Sequence, residues 1–429
     1  MPYFFLNSDV LLIEGALKGA LYNLANGEIY SISELLKKIL VITEQGGSLD
    51  NISQDSMMGA ALNLLEKKKL GYFSVVNQKP QKIYIKPPKP KLRMMWLALN
   101  FNCNLQCIHC YSTSKPGVFD GSLNLSDLFK TIKDAKENFD LECVQLIGGE
   151  PLLLGKNYIS KIIEGLYRLN IQCIEIFTNG HLIDAFYLNL FKKFNVNVAI
   201  SIYSHIPKDH DSVTCNQGSW KKTINAIEKI IEKGLKVRFG IIAMIQNQNT
   251  VGETASWLEN KYGISTQKKY DVVRTCGRGN NKNIIPWQLF KTQHMRLSPD
   301  FLPISISTLE RTLFGNICWG EQICVLPNGD ITPCEMELEN IQGNINRQSL
   351  TEILLGVGGE LSQRLNKDKI EICMDCEYRY ACWECRAMSH QLDKKKFSKP
   401  LTCMYNPYTG EWNTPPNNLE ELFPKMQNN

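Results

Sequence analysis

Three cysteines of this 429-residue chain stand at C-x3-C-x2-C spacing, as Cys103, Cys107 and Cys110, directly after Met94–Asn102, which reads as a strand. Three thiolates on one short loop can hold three corners of a cubane iron–sulfur cluster. The fourth iron then has no protein ligand and is free to bind a substrate or cofactor. After the next apolar run comes Gly148-Gly149-Glu150-Pro151. Glycines at a strand end let a ligand approach the backbone closely. Eight more cysteines crowd the C-terminal third: Cys318, Cys324 and Cys334, then Cys373-x2-Cys376-x5-Cys382-x2-Cys385, and Cys403. Clustered cysteines in a reducing compartment argue for metal over disulfides. Eight are enough for two fully ligated 4Fe–4S clusters. Zinc is the alternative, since paired C-x2-C motifs also form zinc knuckles. Ribbon sites, however, usually separate their pairs by more than five residues.

These groups need a scaffold, and residues 92–274 supply an alternating one. Arg93–Asn102, Cys143–Ile147, Gln172–Thr178, Asn197–Tyr203, Lys236–Ile245 and Lys268–Arg274 read as strands. Helical patterns lie between them at 126–139, 157–169, 182–194, 219–233 and 250–262. The alternation predicts an α/β fold with a parallel sheet. Six strands are too few for a closed eight-stranded barrel, so a partial, TIM-like (β/α)6 barrel is expected. Its functional residues should gather at the C-terminal strand ends. The first cysteine motif, Gly148–Glu150 and Thr178-Asn179-Gly180 all fall there.

Residues 1–78 read as a small α+β unit. Its expected strands are Val10–Glu14, Ala20–Ile32 with a turn at Ala25-Asn26-Gly27, and Gly71–Val76; its expected helices are Ser33–Ile39 and Ser56–Lys69. The basic, proline-rich stretch Lys79–Lys91 reads as an extended linker. The barrel is assigned to 92–300, a cysteine-rich lobe to 301–410 and a loose polar tail to 411–429. The irregular stretch 275–317 carries no clear element.

Composition bounds the function. The net charge of +5 is mild and spread out, which argues against nucleic-acid binding. No run of 18 apolar residues suggests a membrane span. The N-terminus lacks a basic region and a cleavage site, so the expected location is the cytoplasm. Four cysteines stand outside the clusters. Cys143 and Cys173, in apolar strands, read as small core residues, and Cys215 and Cys276 lie in loops near strand ends.

From about residue 92 to 410 the chain resembles the radical S-adenosylmethionine enzymes, and its C-terminal cysteines, with Gly329 five residues before Cys334, resemble a SPASM domain. The resemblance implies that Cys103, Cys107 and Cys110 bind a 4Fe–4S cluster whose open iron is chelated by S-adenosyl-L-methionine. It implies that the Gly148–Glu150 backbone takes the methionine amino group. His109 would lie near the adenine, or else simply pack the loop. Ser201 would touch the ribose or methionine part, and Arg274 would pair with a carboxylate. Carried over by motif position, Cys318, Cys324, Cys334 and Cys385 hold one auxiliary cluster, and Cys373, Cys376, Cys382 and Cys403 the other, making three clusters. Two residues rather than the commoner three separate Cys382 from Cys385. Glu335 stands where related sulfatase maturases place a catalytic aspartate. His210-Asp211-Ser-Val-Thr214 with Gly218-Ser-Trp220 is similar to a segment of peptide-modifying members. The N-terminal unit resembles the winged-helix elements in which a leader peptide adds a strand to a sheet edge. The implied function is modification of a ribosomal precursor peptide, with a thioether or carbon–carbon cross-link as product and flavodoxin or ferredoxin as electron donor. The alternatives are a sulfatase maturase making formylglycine and a non-catalytic cluster-bearing scaffold.

Overall fold

The computed structural model describes residues 3–51, 56–118, 123–266, 269–360, 362–395 and 397–423. Lys268, the expected start of the sixth strand, and the last six residues of the tail lie outside the described residues.

The N-terminal unit begins with β1 (Tyr3–Leu6), followed by β2 (Val10–Glu14), β3 (Gly19–Asn23) and β4 (Ile29–Ile32). β2, β3 and β4 form an antiparallel meander, with the expected turn around Gly27 between the last two. Helix α1 (Glu34–Glu44) starts at Ser33, whose hydroxyl accepts from the Leu36 amide and so satisfies one orphan donor of the first turn. It runs five residues beyond the expected Ile39. Helix α2 (Ser56–Lys67) leads into β5 (Gly71–Ser74), which pairs with β1. Strand β1 was not anticipated, because four residues, YFFL, show no alternation to read. The Lys79–Lys91 stretch carries no helix or strand and is anchored. Lys82 Nζ donates to the carbonyls of Leu6, Asn7 and Val10, each at 3.1 Å.

The central sheet contains β6 (Met94–Ala98), β7 (Cys143–Ile147), β8 (Cys173–Thr178), β9 (Asn197–Ser201) and β10 (Val237–Gly240), all parallel and in sequential order. All five residues of β7 are buried, as expected of a parallel strand covered on both faces. The connecting helices are α3 (Leu125–Phe139), α4 (Lys156–Arg168), α5 (Ala185–Lys193), α6 (Pro207–Thr214), α7 (Ser219–Glu232) and α8 (Val251–Tyr262). On α4, Ile159, Ile162, Ile163 and Leu166 form one buried face. At ~1.5–3 kcal/mol for each buried side chain, that face contributes roughly 6–12 kcal/mol before the entropy of ordering is subtracted.

The fifth expected strand, Lys236–Ile245, is broken. A Cβ at Gly240 would stand 2.7 Å from the Phe177 ring, and past this glycine the chain leaves the sheet. β11 (Ile242–Ala243) then pairs in parallel with β12 (Asp271–Val272), the shortened sixth strand. A further strand, β13 (Gln322–Val325), joins β6 in parallel, and β14 (Asp330–Thr332) and β15 (Gly343–Asn344) extend the sheet antiparallel. The cysteine-rich region thus grows directly out of the barrel sheet. Its four residues QICV sit among turn residues and gave no strand signal.

Two other expectations change. Cys143 and Cys173 are joined as a disulfide, with Cα atoms 4.5 Å apart, where two unpaired core thiols were expected. The register of β7 and β8 places them directly opposite one another. In the tail, Leu419, Leu422 and Phe423 are buried, and the Phe423 ring lies 5.9 Å from that of Phe290. Short apolar spacing after Asn418, which caps this last turn, draws it onto the core.

The β2–β3 hairpin docks on the cysteine-rich lobe. Ala16 N donates to Asp375 O (2.7 Å) and Leu17 N to Pro407 O (3.1 Å). Lys18 Nζ donates to Gly410 O (2.6 Å), and the Arg379 guanidinium to Glu14 O (2.7 Å). Tyr22 is buried there, its hydroxyl donating to Glu377 O at 3.1 Å.

Candidate active site

At the C-terminal ends of the strands opens a cavity of about 680 Å³. Cys103, Cys107, His109 and Cys110 line it from one side; Gly148, Gly149, Asn179 and Ser201 line it from the strand ends. Arg274, Cys276, Glu335 and Met336 line it as well. The residues expected to hold the first cluster and its ligand, Cys103, Cys107, Cys110, His109, Gly148, Gly149, Ser201 and Arg274, therefore face one space, and Glu150 does not line it.

The cysteine loop is tied at several points. Cys103 N donates to Lys115 O (3.2 Å), Ile108 N to Val213 O (3.0 Å) and Cys110 N to Cys107 O (3.3 Å). Burial pushes the Cys103 thiol up to about 12, and raises Cys107 too. Such thiols keep their protons until a metal displaces them.

Gly148 has φ +141°, and a Cβ there would lie 2.2 Å from Asn100 O; at Gly149 it would lie 2.2 Å from Asn102 O. Gly149 N and Glu150 N donate to those same carbonyls at 2.8 and 2.9 Å. The Gly-Gly pair is thus the tight crossing of the strand that leads into the cysteine loop. The Glu150 side chain does not line the cavity. It is fully buried and accepts from Leu152 N (3.1 Å), Thr178 Oγ1 (2.8 Å) and Asn179 N (2.9 Å). Its carboxylate ties the ends of β7 and β8 together and orients Asn179, whose Nδ2 reaches Asn104 Oδ1 at 2.7 Å.

His109 is held edge-on to Tyr203, with ring centres 4.9 Å apart, and burial pulls its pKa down to about 4. Its Nδ1 is buried without a hydrogen-bond partner. Tyr203, given no role in the sequence reading, is buried and interacts electrostatically with the Cys107 thiol. Behind it, Tyr203 N donates to His210 Nδ1 (3.2 Å), and Ser219 Oγ bridges His210 and His181. Asp211 accepts from Gly218 N (2.7 Å) and Trp220 N (2.8 Å). The His210–Trp220 segment therefore buttresses the cavity wall from behind. Cys215 is exposed, away from the cavity.

In the lobe, Cys373, Cys376, Cys382 and Cys403 act electrostatically on one another, and Lys367 opposes the rise that burial imposes on Cys373 and Cys382. Cys318, Cys334 and Cys385 form a second mutually interacting set. Cys324 stands on β13 within a small apolar cluster of Ala98, Ile147 and Leu326, and the thiolate or carboxylate that acts most on it is Glu335. Glu335 is half-buried, its carboxylate 3.5 Å from the Cys334 sulfur. Between the two cysteine sets, Glu384 binds Arg386 (2.5 Å) and Lys367 (3.2 Å); against the upward push of burial, these cations hold it at about 2. Among the described residues, no three Cys, His, Asp or Glu side chains converge on a single-ion site. The donor set fits clusters, and the orphaned His109 Nδ1 and the bare Gly148–Gly149 edge fit an organic ligand beside the first.

The family models agree with this geometry. The radical SAM superfamily model matches residues 99–258, and the SPASM iron–sulfur cluster-binding model matches residues 318–377. The chain thus carries a radical SAM domain followed by a SPASM iron–sulfur cluster-binding domain, which imply S-adenosyl-L-methionine and 4Fe–4S clusters, auxiliary ones included. It is 26% identical over 265 residues to the antilisterial bacteriocin subtilosin biosynthesis protein AlbA of Bacillus subtilis, covering 59% of this chain and 58% of that one. It is 22% identical to the AdoMet-dependent heme synthase of Methanosarcina barkeri, covering 73% and 97%. Among solved structures, Streptococcus suis SuiB superposes with TM-score 0.53 at 16% identity, covering 93% of this chain and 99% of that one. The sulfatase-maturase structure anSMEcpe with bound AdoMet gives 0.54 at 18%, covering 75% and 91%. The chain spans little more than half the length of the subtilosin protein, and the structural likenesses establish the fold. No described helix is long and apolar enough to cross a membrane.

Proposed function

We propose that the chain modifies a ribosomally made precursor peptide, forming a thioether or carbon–carbon cross-link from a peptide carbon. The observation that carries this reading is the shared cavity, in which the first cysteine loop faces Arg274, Cys276 and Glu335 across about 680 Å³. That volume takes a cofactor and part of an extended chain. A β-sheet unit with a free edge at β4, docked on the cluster lobe, supports a leader-guided substrate. The names of two similar proteins point the same way: AlbA in subtilosin biosynthesis, and SuiB solved with its precursor peptide SuiA.

On this reading Cys103, Cys107 and Cys110 hold the first cluster, and Cys318, Cys324, Cys334 and Cys385 the second. Cys373, Cys376, Cys382 and Cys403 hold the third. When bound, the first cluster with S-adenosyl-L-methionine supplies a 5′-deoxyadenosyl radical that abstracts hydrogen from an unactivated carbon. The backbone of Gly148 and Gly149 takes the methionine amino group, His109 faces the adenine, and Ser201 faces the ribose. Arg274 receives a carboxylate. Glu335 is the candidate base on the substrate side. Residues 1–78 recognise the leader, and flavodoxin or ferredoxin in the cytoplasm supplies electrons.

Anaerobic co-expression with each small open reading frame beside the gene, followed by peptide mass spectrometry, tests the proposal. Loss of about two hydrogens per modified site, dependent on the first three cysteines, is the expected result. An unchanged mass for every candidate contradicts cross-linking. Formylglycine formation is the second reading, favoured by Glu335 lining the cavity. It requires turnover of a short Cys- or Ser-containing peptide that carries no leader. The scaffold reading requires that no 5′-deoxyadenosine form under reductant.

A further inference from the structure

One turn far along the chain grips the first cysteine loop. Gly277 has φ +53°, and a Cβ there would stand 2.1 Å from Tyr111 O and 2.7 Å from Cys110 O. Only a glycine lets this turn lie against the Cys110–Tyr111 peptide. The next residue, Arg278, then makes three hydrogen bonds to the loop. Its backbone N donates to Cys110 O (3.0 Å), its Nε to Cys107 O (2.8 Å) and its Nη2 to Ser114 O (2.7 Å). These side-chain contacts bridge 171 and 164 residues of sequence.

All three acceptors are neutral carbonyls. Among the described residues, no carboxylate forms an ion pair with Arg278. A half-buried cation is costly unless a counter-charge reaches it. The groups in front of this one are the loop's thiols, which lose their protons and become anionic when they bind iron. The guanidinium lies against the cysteine motif itself, 2.8 Å from the Cys107 carbonyl oxygen.

We propose that Arg278 is the positioning residue of the S-adenosylmethionine-binding cluster: its guanidinium fixes the carbonyls of the cysteine loop, and its charge behind that loop raises the cluster's reduction potential. Cluster potentials respond to net charge and to hydrogen bonding around the sulfurs. A cation at this place stabilises the reduced state and so eases loading of the electron that starts turnover. The inference concerns the cluster and holds whichever peptide is modified.

The test is an EPR-monitored redox titration of the reconstituted holoenzyme, following the signal that changes when S-adenosyl-L-methionine is added. In Arg278→Gln the reduction equilibrium of that signal moves about tenfold toward the oxidised form, 59 mV for a one-electron couple. The auxiliary signals titrate as in wild type. Arg278→Lys keeps the charge but not the two-pronged geometry. It keeps the wild-type potential while binding less iron. An unshifted Arg278→Gln potential overturns the electrostatic role, as does an equal shift in both variants. If Arg278→Gln loads no cluster, Arg278→Lys decides: a retained potential supports the proposal, and a tenfold drop overturns it.

Discussion

At the barrel mouth, Cys103, Cys107 and Cys110 hang on a loop whose backbone is tied to Lys115, Val213 and Arg278, and which sits beside the Gly148–Gly149 crossing. In the C-terminal lobe, Cys373, Cys376, Cys382 and Cys403 hang on single turns, with no helix or strand longer than eight residues among the described residues from 373 to 412. Their support comes from the Lys367–Glu384–Arg386 ion network and from the β2–β3 hairpin of the N-terminal unit. The contrast teaches where each region's order comes from. The first loop is held by the barrel that carries it, so its shape is expected to persist without iron. The lobe depends on distant partners and on its clusters, as small metal-rich units do.

The sharpest break is chemical. Replacing Cys103, Cys107 and Cys110 together with Ala abolishes 5′-deoxyadenosine formation, while circular dichroism and the auxiliary EPR signals stay as in wild type. Loss of the auxiliary signals as well would show that the first loop is not independently shaped. Next comes Gly149→Val. Its added carbons overlap Asn102 O, so the strand crossing must open; turnover falls by about a hundredfold, or about 2.7 kcal/mol of barrier. Kinetics of S-adenosyl-L-methionine cleavage check this, with the lobe's iron content unchanged.

The lobe is probed from the other end of the chain. A Cβ at Gly15 would stand 2.5 Å from Glu377 Oε2 and 2.9 Å from Glu377 N. Gly15→Val therefore lifts the hairpin off the lobe, and reconstituted protein loses about four irons, those of one cubane, while still cleaving S-adenosyl-L-methionine. Full iron content would show that the lobe holds itself. The smallest effect is a pH dependence. His390 Nδ1 pairs with buried Glu337 at 2.9 Å, which raises the histidine pKa. A raised folded-state pKa stabilises the fold fully below the unfolded value and loses that contribution as pH rises through the folded one. The wild-type Tm should fall by about 2 °C across that window, and His390→Gln should flatten the fall. Differential scanning calorimetry of the apoprotein measures both.

The sequence was most readable where one element carries both period and motif. β7 is a five-residue strand, apolar but for Gln145, and the glycines that follow it mark the crossing that Asn100 and Asn102 need. Strands β1 and β13 escaped notice because four residues cannot display a period, and their partners β5 and β6 lie far away in sequence. The Cys143–Cys173 pairing depends on register between two strands, which neither strand states alone. Glu150 sits inside the glycine motif, and only the geometry shows its carboxylate turned toward Thr178 and Asn179. Arg278 carries no motif of its own. The Gly277 before it was the one available signal, a glycine after the sixth strand, and its meaning requires knowing that the first loop lies against it.

One measurement bears most directly on the central claim that this chain is a three-cluster radical enzyme. Anaerobically reconstituted protein is analysed for iron and zinc, then incubated with S-adenosyl-L-methionine and dithionite and assayed for 5′-deoxyadenosine. The expected result is brown protein with about twelve irons per chain, little zinc, and 5′-deoxyadenosine that vanishes when the first three cysteines are replaced. Colourless zinc protein, or iron-loaded protein that forms no 5′-deoxyadenosine, would contradict it.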